Sequence, residues 1–90
     1  MAWRIKISDS ARRDLKKLGK QPQREILNYL QQRIETDEDP QRFGSPLRRS
    51  LVGLWRYRVG DYRIICEIQE SEVVVLVLRI AHRSKVYGGH

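Results

Sequence analysis

Arg56, Arg58 and Arg63 flank the dipeptide Gly60-Asp61, and that spacing can gather guanidinium groups on one surface. A two-residue hairpin loop at Gly60-Asp61 pairs Val59 with Tyr62, Arg58 with Arg63, Tyr57 with Ile64 and Trp55 with Cys66. Alternation then sends Trp55, Tyr57, Val59, Ile64, Cys66 and Ile68 to a core face, and Arg56, Arg58 and Arg63 to the other. In this register Arg58 stands directly across from Arg63, at a Cβ separation of about 4.5–5.5 Å, where like charges repel. A bound phosphodiester would relieve the repulsion. Arginine forks phosphate oxygens with paired donors and stays charged at any physiological pH. The structural alternative is an ordinary solvated sheet face on which the guanidiniums splay into water.

A second group of reactive types closes the chain: His82-Arg83-Ser84-Lys85-Val86-Tyr87. It adds an imidazole, a guanidinium and a phenol. In strict alternation His82 points away from Arg83, which makes His82 a structural residue or an indirect aid to the site. Tyr87 alone could equally pack on the edge of the core.

The elements that must hold these groups follow from periodicity. Ala2 to Ile7 alternates apolar and cationic residues and reads as an edge or half-buried strand. Ser8 or Ser10 caps a helix with Asp9 at its positive end. Ala11, Leu15 and Leu18 form its inner face, and Gly19 stops it. Pro22 is expected at the first position of a second helix, with Ile26, Leu27, Leu30 and Ile34 as its apolar stripe. Pro40 to Pro46 is a loop, and Arg42, Arg48 and Arg49 make it and its exit basic. Leu54 to Val59, Tyr62 to Gln69 and Val73 to Ile80 are strands, with Glu70-Ser71 as a second tight turn. The order β-α-α-β-β-β describes an α+β domain, a helical hairpin packed on a small, mainly antiparallel sheet, over residues 1–90.

Composition sets the limits. Ninety residues make one domain with a thin core. The 40% apolar content leaves little room for a deep cavity, so a site here is a surface groove. A formal net charge of +7 attracts polyanions. The single cysteine, Cys66, excludes an internal disulfide and a cysteine-based metal cluster. It lies in an apolar run and reads as a buried thiol. No cofactor is expected. The longest apolar run, Val73 to Leu78, is too short to span a bilayer, and the N-terminus is unlike a signal peptide. A cytoplasmic protein is the expectation.

The run Trp55-Arg56-Tyr57-Arg58, then Gly60-Asp61-Tyr62-Arg63-Ile64, an apolar strand and His82-Arg83-Ser84-Lys85-Val86-Tyr87 resembles the RelE/ParE toxins. Ala11, Asp14-Leu15 and Leu18 match the same layout, so the resemblance covers nearly the whole chain. It implies the toxin of a type II toxin–antitoxin system, silenced in a hetero-oligomer by a cognate acidic, RelB-like antitoxin. RelE members cut messenger RNA in the ribosomal A site. ParE members inhibit DNA gyrase and lack the full basic and tyrosine set. Retention of Arg56, Arg58, Arg63, Arg83 and Tyr87 favours the RNase branch.

The chemistry so implied is metal-independent attack of an RNA 2′-hydroxyl on the adjacent phosphorus. Arg56, Arg58 and Arg63 would stabilise the charged transition state. Tyr87 would be general base or would orient the 2′-hydroxyl; adjacent guanidiniums favour a phenolate that otherwise forms near pH about 10. Arg83 would attend the leaving oxygen, and Arg48, Arg49 and Lys85 would contact RNA. Well-known RelE members carry lysine where this chain has Arg56 and Arg58; arginine keeps the charge but does not readily release a proton. The rival readings are a ParE-like gyrase inhibitor without nuclease activity, and a non-catalytic RNA-binding module stacking bases on Trp55, Tyr57 and Tyr62.

Overall fold

The computed structural model describes residues 2–47 and 53–86. Strand β1 (Arg4–Ile7) leads into helices α1 (Asp9–Lys16) and α2 (Lys20–Tyr29). A widened π turn (Leu30–Ile34), a 3₁₀ turn (Pro40–Arg42) and the two-residue strand β2 (Ser45–Pro46) follow. Strands β3 (Leu54–Val59), β4 (Tyr62–Gln69) and β5 (Val74–His82) complete the sheet, and helix α3 (Arg83–Val86) follows β5 directly.

Helix α1 starts where the sequence provides a cap. The Ser8 hydroxyl accepts the Ala11 N–H at 3.1 Å and donates to the Leu78 carbonyl at 3.0 Å, which ties the helix start to β5. Gly19 is the N-cap of α2 with extended backbone, rather than a left-handed stop for α1. The Gln23 N–H bonds the Gly19 carbonyl at 3.2 Å, so the first turn of α2 starts ahead of Pro22 and encloses it. Pro22 is therefore in the third position of α2, not the first; its missing N–H is still one of the unpaired donors of a first turn.

Ile26, Leu30 and Ile34 are buried, each four residues after the last. The Glu35 N–H reaches back to the Leu30 carbonyl at 2.9 Å, which widens the final turn by one residue. Leu27, expected in this stripe, is 43% exposed. It lies about a quarter turn round the helix from Ile26, beyond the edge of the buried face.

The sheet is five-stranded in the order β1-β5-β4-β3-β2. Only the β1–β5 pairing is parallel. The β3–β4 register is the one expected: Val59 with Tyr62, Arg58 with Arg63, Tyr57 with Ile64 and Trp55 with Cys66. Gly60 takes φ +58° and Asp61 has no positive φ, the pattern of a type II′ hairpin turn. The second connection is longer than Glu70-Ser71. Gln69 pairs with Val74, and a 3₁₀ turn at Glu70–Glu72 plus Val73 at φ 55° bridge the gap. A bulge in β5 opposes Ile65 and Cys66 to Arg79 and Val77, which leaves Leu78 as the extra residue.

Both main helices pack on one side of the sheet. Ala11, Leu15, Ile26, Leu30 and Ile34 meet Tyr57, Ile64, Cys66, Val75, Val77 and Ile80 there, and all are buried. Burial pushes the Cys66 thiol upward and keeps it protonated, as a core cysteine should be. At the free edge of β5, beyond the end of β1, Asp14 of α1 accepts the Ile80 N–H at 2.9 Å and pairs with Arg79 through contacts of 2.9 and 3.3 Å. This carboxylate satisfies an edge donor that no strand covers. Among the described residues, no helix is long and apolar enough to cross a membrane.

Candidate functional site: an arginine-bearing sheet face

The hairpin ladder decides which side chains share the sheet face away from α1 and α2. Tyr57, Ile64 and Cys66 are fully buried on the helical side. Arg56, Arg58 and Arg63 alternate with them and occupy the opposite face. Arg56 lies between Ser45 of β2 and Ile65 of β4, and is half-buried. Arg58 is exposed and stands across from Arg63.

Arg63 departs from the expectation of an exposed side chain: it is only 9% exposed. Its Nη1 donates to the carbonyls of Gly60 at 3.2 Å and Tyr62 at 3.1 Å. The guanidinium turns back on its own hairpin, where Nη1 finds two turn carbonyls. Alternation assigns a side chain to a face; it does not say whether a long side chain extends or folds back.

The next rung of the same ladder brings in Arg83. Tyr62 pairs with His82 and Arg63 with Ala81. The Arg83 N–H donates to the Asp61 carbonyl at 2.7 Å, which extends the β4–β5 ladder to the hairpin turn. Position 83 consequently falls on the side of Arg58 and Arg63. Its Nε lies 3.8 Å from the Asp61 carboxylate. This carboxylate was not singled out in the sequence, although the register places it at the end of the arginine face.

His82 faces the helical side, as alternation requires. Its ring meets the Tyr62 ring edge-on, with centroids 5.6 Å apart. Nδ1 accepts the Ser84 N–H at 3.3 Å and lies 3.0 Å from the Ser84 hydroxyl, at the head of α3. Arg48, Arg49 and Tyr87 lie outside the described residues, as does the side chain of Lys85.

The aromatic residues of β3 are occupied in structure. The Tyr57 hydroxyl donates to the Pro40 carbonyl at 2.7 Å, and burial pushes its ionisation far above the usual tyrosine range. The Trp55 indole N–H donates to the Phe43 carbonyl at 2.6 Å. Between these anchors Gly44 takes φ +75°, and a Cβ there would overlap the Arg56 carbonyl oxygen. The 40–46 segment is thus stapled to the strand carrying Arg56 and Arg58. Arg42 is engaged as well, 4.4 Å over the Phe43 ring and 3.1 Å from Glu38. Among the described residues, no three histidine, cysteine, aspartate or glutamate side chains group to hold a metal ion.

A small basic α+β domain with a helical hairpin on one sheet face and guanidiniums on the other defines a compact polyanion-attracting fold. Comparison with known proteins places it. Residues 5–87 match the family model described as the ParE toxin of the type II toxin–antitoxin system parDE. Toxin RelG of Mycobacterium tuberculosis is 34% identical over 97% of this chain and 98% of its own length. Toxin RelE of the same organism is 32% identical over 94% of this chain and 86% of its own length. The toxin–antitoxin complex RelBE2 from M. tuberculosis contains a chain that superposes with a TM-score of 0.82 at 31% identity, covering 93% of this chain and 94% of that one. The chain belongs to the RelE/ParE superfamily, the toxins of type II toxin–antitoxin systems.

Proposed function

We propose that this toxin is a metal-independent endoribonuclease that cuts messenger RNA in the ribosomal A site, in the cytoplasm, until a cognate acidic antitoxin binds it. The observation that carries the reading is the ladder Arg58–Arg63–Ala81 with Arg83 on the adjoining rung. It sets three guanidiniums along one sheet face at its turn end. The relatives named RelG and RelE, and the neighbour crystallised as a toxin–antitoxin complex, support the RNase branch and a RelB-like partner.

In this reading the 2′-hydroxyl oxygen attacks phosphorus as its proton passes to the Tyr87 phenolate. The P–O5′ bond breaks, and the departing 5′-oxygen takes a proton from water, giving a cyclic 2′,3′-phosphate and a 5′-hydroxyl. Arg56 and Arg58 bind the phosphate, and Arg63 adds charge from a fixed position. Arg83 stabilises the departing 5′-oxygen. Arg48, Arg49 and Lys85 contact flanking RNA backbone.

A second reading has its own support, since the matching family model is that of ParE toxins. It predicts gyrase inhibition without cleavage. Single-turnover cutting of ribosome-bound message in excess chelator, beside mapping of transcript ends and DNA breaks after brief expression, separates the two. Cutting in chelator supports the RNase; DNA breaks without cutting support the inhibitor.

A further inference from the structure

We infer that Asp61 is a positioning residue that holds Arg83 in line with the arginine face. The inference deepens the RNase reading and rests on it. Asp61 touches Arg83 twice, by different chemistry. Its carbonyl takes the Arg83 N–H at 2.7 Å, which fixes the backbone of α3 at its first residue. Its carboxylate lies 3.8 Å from Arg83 Nε, beyond hydrogen-bond length but near enough to attract the guanidinium. The two side chains are 66% and 62% exposed, and exposed pairs of this kind add little to stability. What the pair supplies is a bias in direction: an arginine with several free rotors is drawn toward one end of the site.

The surroundings single Asp61 out. Arg63 is anchored on the carbonyls of Gly60 and Tyr62, the residues on either side of Asp61. One turn therefore holds two arginines, Arg63 through backbone carbonyls and Arg83 through a carbonyl and a carboxylate. A shift of the turn moves both. The contact leaves Arg83 Nη1 and Nη2 available to the leaving oxygen, because Nε is the atom that faces Asp61.

The test compares Asp61→Asn, Asp61→Glu, Arg83→Ala and the double variant Asp61→Asn/Arg83→Ala, all full-length, in single-turnover cutting of ribosome-bound message. Asparagine keeps the turn propensity and the backbone carbonyl and removes only the charge. The expected result is a single-turnover rate lowered about 2- to 5-fold in Asp61→Asn, the most that an exposed ion pair contributes to holding one rotamer. Half-saturation should be unchanged, Asp61→Glu should restore part of the rate, and the thermal midpoint should hold. In the Arg83→Ala background Asp61→Asn should have no further effect. Asp61→Asn cutting at the wild-type rate overturns the inference and leaves the RNase reading intact. So does an equal loss with and without Arg83. A wild type that does not cut overturns both, and that arm is read separately from the variants.

Discussion

Arg58 and Arg63 oppose each other across the β3–β4 ladder, yet only Arg58 reaches solvent, because Arg63 bonds the carbonyls on either side of the Asp61 turn residue. If this face binds a phosphodiester as proposed, Arg58 would meet it from solvent while Arg63 would already be fixed, and an arginine so held costs little reorganisation during reaction.

Arg63→Ala is expected to lose both activity and stability. Removing a preorganised charged donor should slow cutting about 10²- to 10³-fold. Loss of its charge-assisted bonds to the turn should cost about 1.5–3 kcal/mol. Urea denaturation beside single-turnover cutting checks both; an Arg63→Ala protein as stable as wild type would contradict the anchoring role.

Tyr87→Phe removes one hydroxyl and keeps the ring. If the phenol handles the 2′-hydroxyl proton, the rate should fall about 10²- to 10⁴-fold in the presence of chelator. RNA affinity should barely move, since phosphate contacts set it. A rate within twofold of wild type would remove Tyr87 from the chemistry.

Tyr57→Phe is the converse case. It leaves the buried Pro40 carbonyl without its partner and should destabilise by about 1–3 kcal/mol. Cutting by the folded variant should be unchanged. A selective loss of RNA binding would instead favour base stacking on this strand.

Acid stability should report on Asp14. Burial alone would push its carboxyl up, but the Arg79 hydrogen bond, the Ile80 N–H and the charges of Arg79 and Lys17 outweigh it and hold the group below the usual aspartate range. A lowered folded-state value means the contribution is complete above the unfolded aspartate pKa, near about 4, and is lost as pH falls through the folded value. Denaturation at pH 7 and pH 3 should show Asp14→Asn costing more at the higher pH. An equal cost at both would refute the linkage.

Much of this arrangement is legible in the chain before it folds. Gly60-Asp61 between alternating runs defines the hairpin register, and from it the core positions of Tyr57, Ile64 and Cys66 and the arginine side of Arg56 and Arg58. Those inferences are local and carry period two. What escapes is decided by tertiary contact or by conformation within a face. The start of α2 before Pro22 depends on a single turn closing at Gly19, and Leu27 falls just outside a buried stripe that a hydrophobicity pattern cannot trim. The 3₁₀ turn with Val73 replaces a tight hairpin because Gln69 pairs with Val74, which leaves Glu70 to Val73 to make the connection. Strand β2, two residues long, has no periodicity to read. The contacts of Asp14 with Arg79 and of Asp61 with Arg83 join residues far apart in sequence, and charge counting does not reveal them.

The position of β5 has a consequence for how the molecule comes into being. The strand lies between β1 and β4, and among the described residues β1 has no other neighbour in the sheet. Pairing Arg4 with Val74 therefore closes a loop of about seventy residues, a contact of the high sequence separation that slows folding in general. While the chain is still emerging, Ile5 and Ile7 have no partner strand and α1 has no edge to dock on. Completion of the sheet thus waits on the synthesis of β5.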